Sequence, residues 1–298
     1  MANVTDVVYR DMLVREGKPD VFWTEFVSCD GLLSNGRERL MPDLAFNETQ
    51  RPIVAQFFTS KPDNMRECAR MAKEMGFDGV DVNMGCPEKS IQKQGAGAAC
   101  MKDPDNAVAV IEAAIEGADG LPISVKTRIG YNKDEIDTWI PVLLKTGIQA
   151  LTIHLRTKKE MSKVPAHWER MSDIVELRNK LNPNILIIGN GDLLTKSHGR
   201  EKVSDTGCDG VMIGRGLFHN YRLFSEKSSP TMEERVRAAI HHTQDFQKAF
   251  EGKKPFEIMK KHYKAYISGF PEASEKREQL FKANTYDEAI SILQIFLK

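Results

Sequence analysis

A chain of 298 residues can bury a large core without staples, and its length suits one large barrel or a large domain joined to a small one. Hydrophobic content of 41% and charged content of 28% describe an ordinary globular protein and set aside collagen-like, disordered and membrane-spanning classes. The 42 basic side chains equal the 42 acidic ones, so no global excess announces a nucleic-acid partner, and any such partner must be held by local patches.

The most apolar stretches, such as ILII at 185–188, fall far short of the roughly 20 residues that cross a bilayer. No charged segment followed by an apolar one opens the chain as a secretory signal would, so a cytoplasmic location is expected by default. Cys29, Cys68, Cys86, Cys100 and Cys208 form an odd set without CxxC or Cys/His zinc spacing; reduced thiols and no metal are expected.

In chain order, short apolar and β-branched runs recur at 21–28, 52–58, 79–85, 122–130, 150–157, 185–192 and 210–216. Amphipathic segments separate them. The stretch 61–76 places Met65, Cys68, Ala69, Ala72 and Met75 on one face, the i, i+3, i+4, i+7 pattern of a half-buried helix. The stretch 103–117 opens with capping-type Asp and Asn and is expected to stop at Gly117. Alternating strands and helices imply parallel strands with right-handed crossovers, either in an open doubly wound sheet or in a (β/α)8 TIM barrel. Gln56, Asn83, Lys126, His154, Asn190 and Arg215 fall at the carboxyl ends of different strands. A barrel gathers all such ends at one mouth, so the barrel is favoured. Strand signals stop after GRGLFHNYRLF (214–224), and the pattern is helical from about Thr231; residues 1–227 read as the barrel, 228–230 as a linker and 231–298 as a separate helical domain.

The glycine-bearing strand ends GNGD (189–192) and GRG (214–216) are either ordinary tight turns or a phosphate site in which Arg215 supplies charge. Lys126 reads as a strand-end lysine reaching solvent or as a cation opposite an electron-rich ring, to which Gln56 and His154 add hydrogen bonds. Four of the cysteines read as small buried hydrophobes. Cys86, between Gly85 and Pro87 at a strand end and followed by the mobile-looking KQGAGAA (93–99), reads as a thiol that meets a substrate on a closing loop.

These residues together resemble the tRNA-dihydrouridine synthases. The segment DVNMGCPEKSIQKQGAGAACMKDP (81–104) resembles that family's catalytic block, SVKTRIG (124–130) its flavin-contacting strand, and IIGNGD and GVMIGRGLF its phosphate-binding strand ends. MKKHYKAYISGFPEASEKR (259–277) resembles its Lys-His-Tyr-Gly-Arg block. The resemblance implies FMN-dependent reduction of a uridine C5–C6 double bond in tRNA, with NADPH as reductant. It implies Cys86 as general acid, Gln56, Lys126 and His154 on the flavin ring, and Asn190, Gly191, Asp192, Gly214 and Arg215 around the FMN phosphate. Asn83 and Arg156 then face the uridine, while Lys260, Lys261, His262 and Tyr266, in a span (251–264) and its flank with five lysines against two glutamates, grip the RNA. A flavin-barrel dehydrogenase of a free pyrimidine and a non-catalytic RNA-binding relative stand as alternatives. Two departures follow: Leu155 replaces the glycine of the family's HGRT, and the opening MANVTDVVYRDML resembles the stretch after the family's first barrel strand, with Met1 on the methionine of its APM. The first strand is therefore expected to be missing from the chain as given, with the natural start roughly a dozen residues earlier.

Overall fold

The structure is a computed structural model that describes residues 3–297, so Met1 and its place in the family pattern lie outside the described residues. The apolar runs form seven strands: β1 (Phe22–Ser28), β2 (Ile53–Phe58), β3 (Gly79–Asn83), β4 (Ile123–Arg128), β5 (Ala150–His154), β6 (Leu186–Asn190) and β7 (Gly210–Met212). They lie side by side in chain order, and every adjacent pair is parallel. The sheet curls into a TIM-barrel-like wall with helices outside it. Gln56 stands opposite Asp81, Asn83 opposite Lys126, and His154 opposite Asn190, so register alone brings the polar strand ends to one mouth.

Among the described residues β1 and β7 each pair with one strand only, and no ladder joins them to each other. The chain ahead of β1 stitches this seam: the Val4 N–H donates to Glu25 Oε1 on β1 (2.8 Å), and the Tyr9 hydroxyl donates to the Leu217 carbonyl beyond β7 (3.5 Å).

The crossover helices form where the periodicity placed them. Pro62 starts the helix Pro62–Glu74, where its missing N–H costs nothing, and Met65, Cys68, Ala69 and Ala72 are buried. The helix Pro104–Ala118 does not stop at Gly117 but runs one residue further, to Ala118, and is capped by Asp119 in the left-handed conformation (φ 43°). Gly117 serves packing instead. A Cβ there would lie 2.1 Å from the Arg66 carbonyl oxygen of the neighbouring helix.

Beyond β7 the described chain is helical: Met232–Phe250, Glu257–Tyr266, Ala273–Lys282 and Tyr286–Ile295. Thr231 and Glu234 form a reciprocal capping box at its start. This region is fastened to the barrel by Lys254, whose ammonium reaches Glu25 on β1 (3.0 Å) and Asp43 (2.7 Å), and by Tyr9, whose ring lies 4.6 Å from that of His262. Among the described residues no helix is long and apolar enough to cross a membrane.

Candidate active site at the barrel mouth

Three strings of hydrogen bonds build the mouth from the strand ends. The first begins at Asp81, fully buried on β3, whose carboxylate accepts from Gln56 Nε2 (2.7 Å) and Ser124 Oγ (2.6 Å). Burial pushes its pKa up to about 6 despite these donors and the nearby Lys126. Gln56 Oε1 in turn accepts from Asn83 Nδ2 (3.1 Å), and Asn83 Oδ1 accepts from the N–H groups of Gly85 (3.2 Å) and Cys86 (3.0 Å). Asn83 is therefore committed to holding the backbone of the Cys86 turn.

Cys86 is half-buried, whereas Cys29, Cys68, Cys100 and Cys208 are buried as core residues. Burial raises its pKa above the ordinary thiol value, and the Glu88 N–H, Arg128 and Lys126 only partly offset this, which favours the protonated thiol. The segment expected to be a mobile loop is packed instead. Ala96, Gly97 and Ala98 are buried, the Ala98 N–H donates to the Cys86 carbonyl (2.9 Å), and Gly97 (φ 62°) leaves no room for a Cβ, which would sit 2.8 Å from that carbonyl oxygen. The small residues that look loose in sequence are what lets the chain fold directly under the thiol.

The second string runs along β4 and β6. Lys126 Nζ donates to Asn190 Oδ1 (3.4 Å), and Asn190 Nδ2 donates to the Met212 carbonyl (2.8 Å). Burial, then the adjacent Arg128, lowers the Lys126 pKa to about 8, which leaves it mostly charged at pH 7.

The third string surrounds His154. Arg156 Nη1 lies 3.1 Å from His154 Nε2; a guanidinium can only donate, so Nε2 accepts and the imidazole is neutral with its proton on Nδ1. Burial, followed by the charges of Arg128, Lys126, Arg156 and Arg215, drives the His154 pKa down to about 2. Arg156 also bonds to the Val164 carbonyl (2.6 Å) and to Asp192, which Arg215 approaches at 3.6 Å. Although burial would raise the Asp192 pKa, Arg156 and the Ala166 N–H hold it below the usual carboxylate range.

Several expectations change in this geometry. Arg156 is only 2% exposed and three of its donors are engaged inside the site, by Val164, His154 and Asp192. Gly191 (φ 138°) fits its tight turn, and the space a Cβ would take is filled by Ala166 at 2.7 Å, so packing already requires the glycine. Gly214 begins the short turn Arg215–Phe218, and the Arg215 side chain is 57% exposed at the mouth. Leu155 is fully buried in the core, so the departure from the family glycine is absorbed by packing. In the helical region His262 and Tyr266 are fully buried on the inner face of the helix Glu257–Tyr266 and cannot reach a phosphate; the Tyr266 hydroxyl meets His242 Nδ1 at 3.0 Å. Lys260 donates to the Phe281 carbonyl (3.0 Å), while Lys261 is exposed.

Sequence reasoning missed Asp81 and Arg128. Arg128, buried between two mouth loops, donates to the carbonyls of Gly85 (2.8 Å), Met161 (3.0 Å) and Thr157 (3.1 Å). Its spacing of two from Lys126 on a strand, which puts both side chains on one face, was the available signal. Two shallow surface depressions, one beside Asp287 and Ser291 and one beside Val14 and Phe224, contain none of the mouth residues.

A parallel barrel-like sheet with a protonated thiol and a clustered set of cations at its carboxyl-end mouth defines a class of protein, and comparison with known chains narrows it. The family model for dihydrouridine synthase (Dus) matches residues 1–298. The "Probable tRNA-dihydrouridine synthase" of Staphylococcus aureus (strain COL) is 39% identical over 300 residues, covering 99% of this chain and 91% of that protein. The "Probable tRNA-dihydrouridine synthase 2" of Bacillus subtilis (strain 168) is 38% identical over 302 residues, covering 99% and 92%. In fold alone the chain is similar to an old yellow enzyme homologue from Zymomonas mobilis, with TM-score 0.51 at 12% identity over 77% of this chain and 86% of that one. The chain belongs to the dihydrouridine synthase family.

Proposed function

We propose that this protein reduces the C5–C6 double bond of uridines in tRNA, with FMN as its cofactor and NADPH as the source of electrons. The observation that carries the reading is the pairing, across one mouth, of a thiol kept protonated by burial with the cation cluster of Lys126, Arg128, Arg156 and Arg215. The donor set fits a phosphorylated flavin. Arg215, largely exposed and only loosely held by Asp192, is free to meet a phosphate, and Lys126 stands where negative charge on a ring would be stabilised. Gln56, Asn190, Gly191, Asp192 and Gly214 complete that cradle, and neutral His154 offers its Nδ1–H as a donor.

When bound, FMN supplies the hydride that C6 of the uracil accepts. Cys86 then delivers a proton to C5; such proton donation typically contributes about 10²–10⁴-fold. Asn83 and Arg128 hold the turn that aims this thiol, through the N–H of Cys86 and the carbonyl of Gly85. The target base must leave its stack to enter such a mouth, and the exposed Lys261 is kept as a phosphate contact from the helical region.

The test is reconstitution of the purified protein with FMN, followed by incubation with an unmodified tRNA transcript and NADPH. Dihydrouridine appearing in the tRNA supports the reading. Its absence from a protein that binds both FMN and tRNA would overturn it.

A further inference from the structure

A net charge of zero still allows a local excess of one sign. On the outer helix Pro62–Glu74 cations are neutralised in place: Arg66 pairs with Asp63 and Glu116, and Arg70 with Glu67 and Glu74. At the mouth, the loops after β3, β4 and β5 carry Lys93, Lys102, Lys133, Lys158 and Lys159, and no ion pair to any of them occurs among the described residues. The acids of those loops are already engaged. Asp103 accepts from the Asn106 N–H, Asp134 pairs with Arg170, Glu135 accepts from the Tyr131 N–H, and Glu160 accepts from the Thr157 N–H and meets His167; Glu88 is the exception.

Two of these lysines are ordered against a single ring. Lys102 Nζ lies 4.1 Å and Lys158 Nζ 4.7 Å from the ring centroid of half-exposed Tyr131. The backbone of Tyr131 is fixed as well: its N–H donates to Glu135 (2.7 Å), its carbonyl accepts from the Lys159 N–H (2.9 Å), and the adjacent Gly130 carbonyl accepts from the Lys158 N–H (2.8 Å). Its hydroxyl donates to Gln92 Oε1 (2.6 Å), and Gln92 Nε2 donates to the carbonyl of Pro87 (2.5 Å), the residue after Cys86. A pair of ammonium groups is thus held in place at the rim and linked by two hydrogen bonds to the turn that carries the thiol.

We propose that Lys102, Lys158 and Tyr131 form a phosphate-binding rim that holds the sugar–phosphate backbone of the RNA strand from which the target base is extruded. The proposal rests on the function proposed above. A strand that gives up one base to a deep mouth must be held at the rim itself, and positioned cations without an ion pair among the described residues fit a row of phosphates. The helical region then supplies additional grip rather than the contact next to the reacting base. Through Gln92, Tyr131 also makes the Cys86 turn part of the surface that the RNA loads.

The test uses the full chain loaded with FMN and an unmodified tRNA transcript, with Kd measured over a range of KCl concentrations. Each phosphate contact contributes about 0.7–0.9 to the slope of log Kd against log salt, so Lys102→Ala with Lys158→Ala should make the slope shallower by roughly 1.4–1.8. Retained FMN and an unshifted Tm show that the double variant is folded. Tyr131→Phe keeps the ring and both lysines but cuts the link to Gln92; tRNA affinity and slope should match the parent, while kcat on tRNA falls several-fold. A parent protein that binds tRNA beside a folded double variant of identical slope overturns the rim alone. A parent that does not bind tRNA overturns the function and the rim together.

Discussion

Replacing Arg128 by alanine removes the strut between two mouth loops. The side chain is buried and donates three hydrogen bonds, to Gly85, Met161 and Thr157, so the variant leaves three carbonyls to find other partners. At about 1 kcal/mol net for each bond, the loss is about 3 kcal/mol, read as a lower urea midpoint at unchanged m. The same change frees the Gly85 carbonyl and with it the Cys86 turn. A misplacement of about 1 Å at a reacting group can cost on the order of 10²-fold, so reduction of tRNA uridine should fall by about that factor while reduction of FMN by NADPH falls much less. Removing this cation should also raise the His154 pKa from about 2, although burial, its main cause, keeps it below 6.5. A stability loss under about 1 kcal/mol, together with an unchanged ratio of the two half-reactions, would refute the strut.

The folded chain holds a proton on Asp81 up to about pH 6, whereas an ordinary carboxyl releases it near 3.8, so this group costs stability as pH rises through that window. The difference amounts to about 3 kcal/mol, and Asp81→Asn should remove this part of the pH–stability curve; a difference curve between parent and variant that is flat across the window contradicts the assignment. His262 is fully buried with neither ring nitrogen partnered among the described residues, and burial lowers its pKa to about 3. His262→Phe should stabilise the protein at pH 7 by about 1 kcal/mol and leave tRNA affinity unchanged; weaker tRNA binding by a folded variant would return His262 to the RNA surface. Gly117→Ala places a Cβ against the Arg66 carbonyl and should cost about 1–3 kcal/mol, visible as a lower Tm.

The seven strands were legible as short apolar and β-branched runs, and the helices Pro62–Glu74 and Pro104–Ala118 as amphipathic stretches between them. Polar residues at strand ends then suggested a common mouth, and register places Gln56 beside Asp81 and Asn83 beside Lys126 as that reading requires. What sequence hid was the direction and the partners of side chains. Arg156 was expected to face the uridine, yet Asp192 and His154 hold it inside the site. The lysine-rich span 251–264 looks like one basic face, but Lys254 is drawn to Glu25 and Asp43, and His262 turns into the core against Tyr9. Those partners lie more than two hundred residues away in the chain, out of reach of any local pattern. The rim around Tyr131 was hidden for the same reason, since its lysines come from two different loops and only the fold brings them to one ring.

The central claim is that one mouth carries out two separable half-reactions and that Cys86 serves only the second. With Cys86→Ala, reduction of bound FMN by NADPH, followed by bleaching of flavin absorbance, should proceed at the parental rate, while dihydrouridine formation in tRNA should fall by about 10²–10⁴-fold. Equal loss of both half-reactions would make Cys86 a structural or flavin-site residue, and parental rates in both would remove it from the reaction.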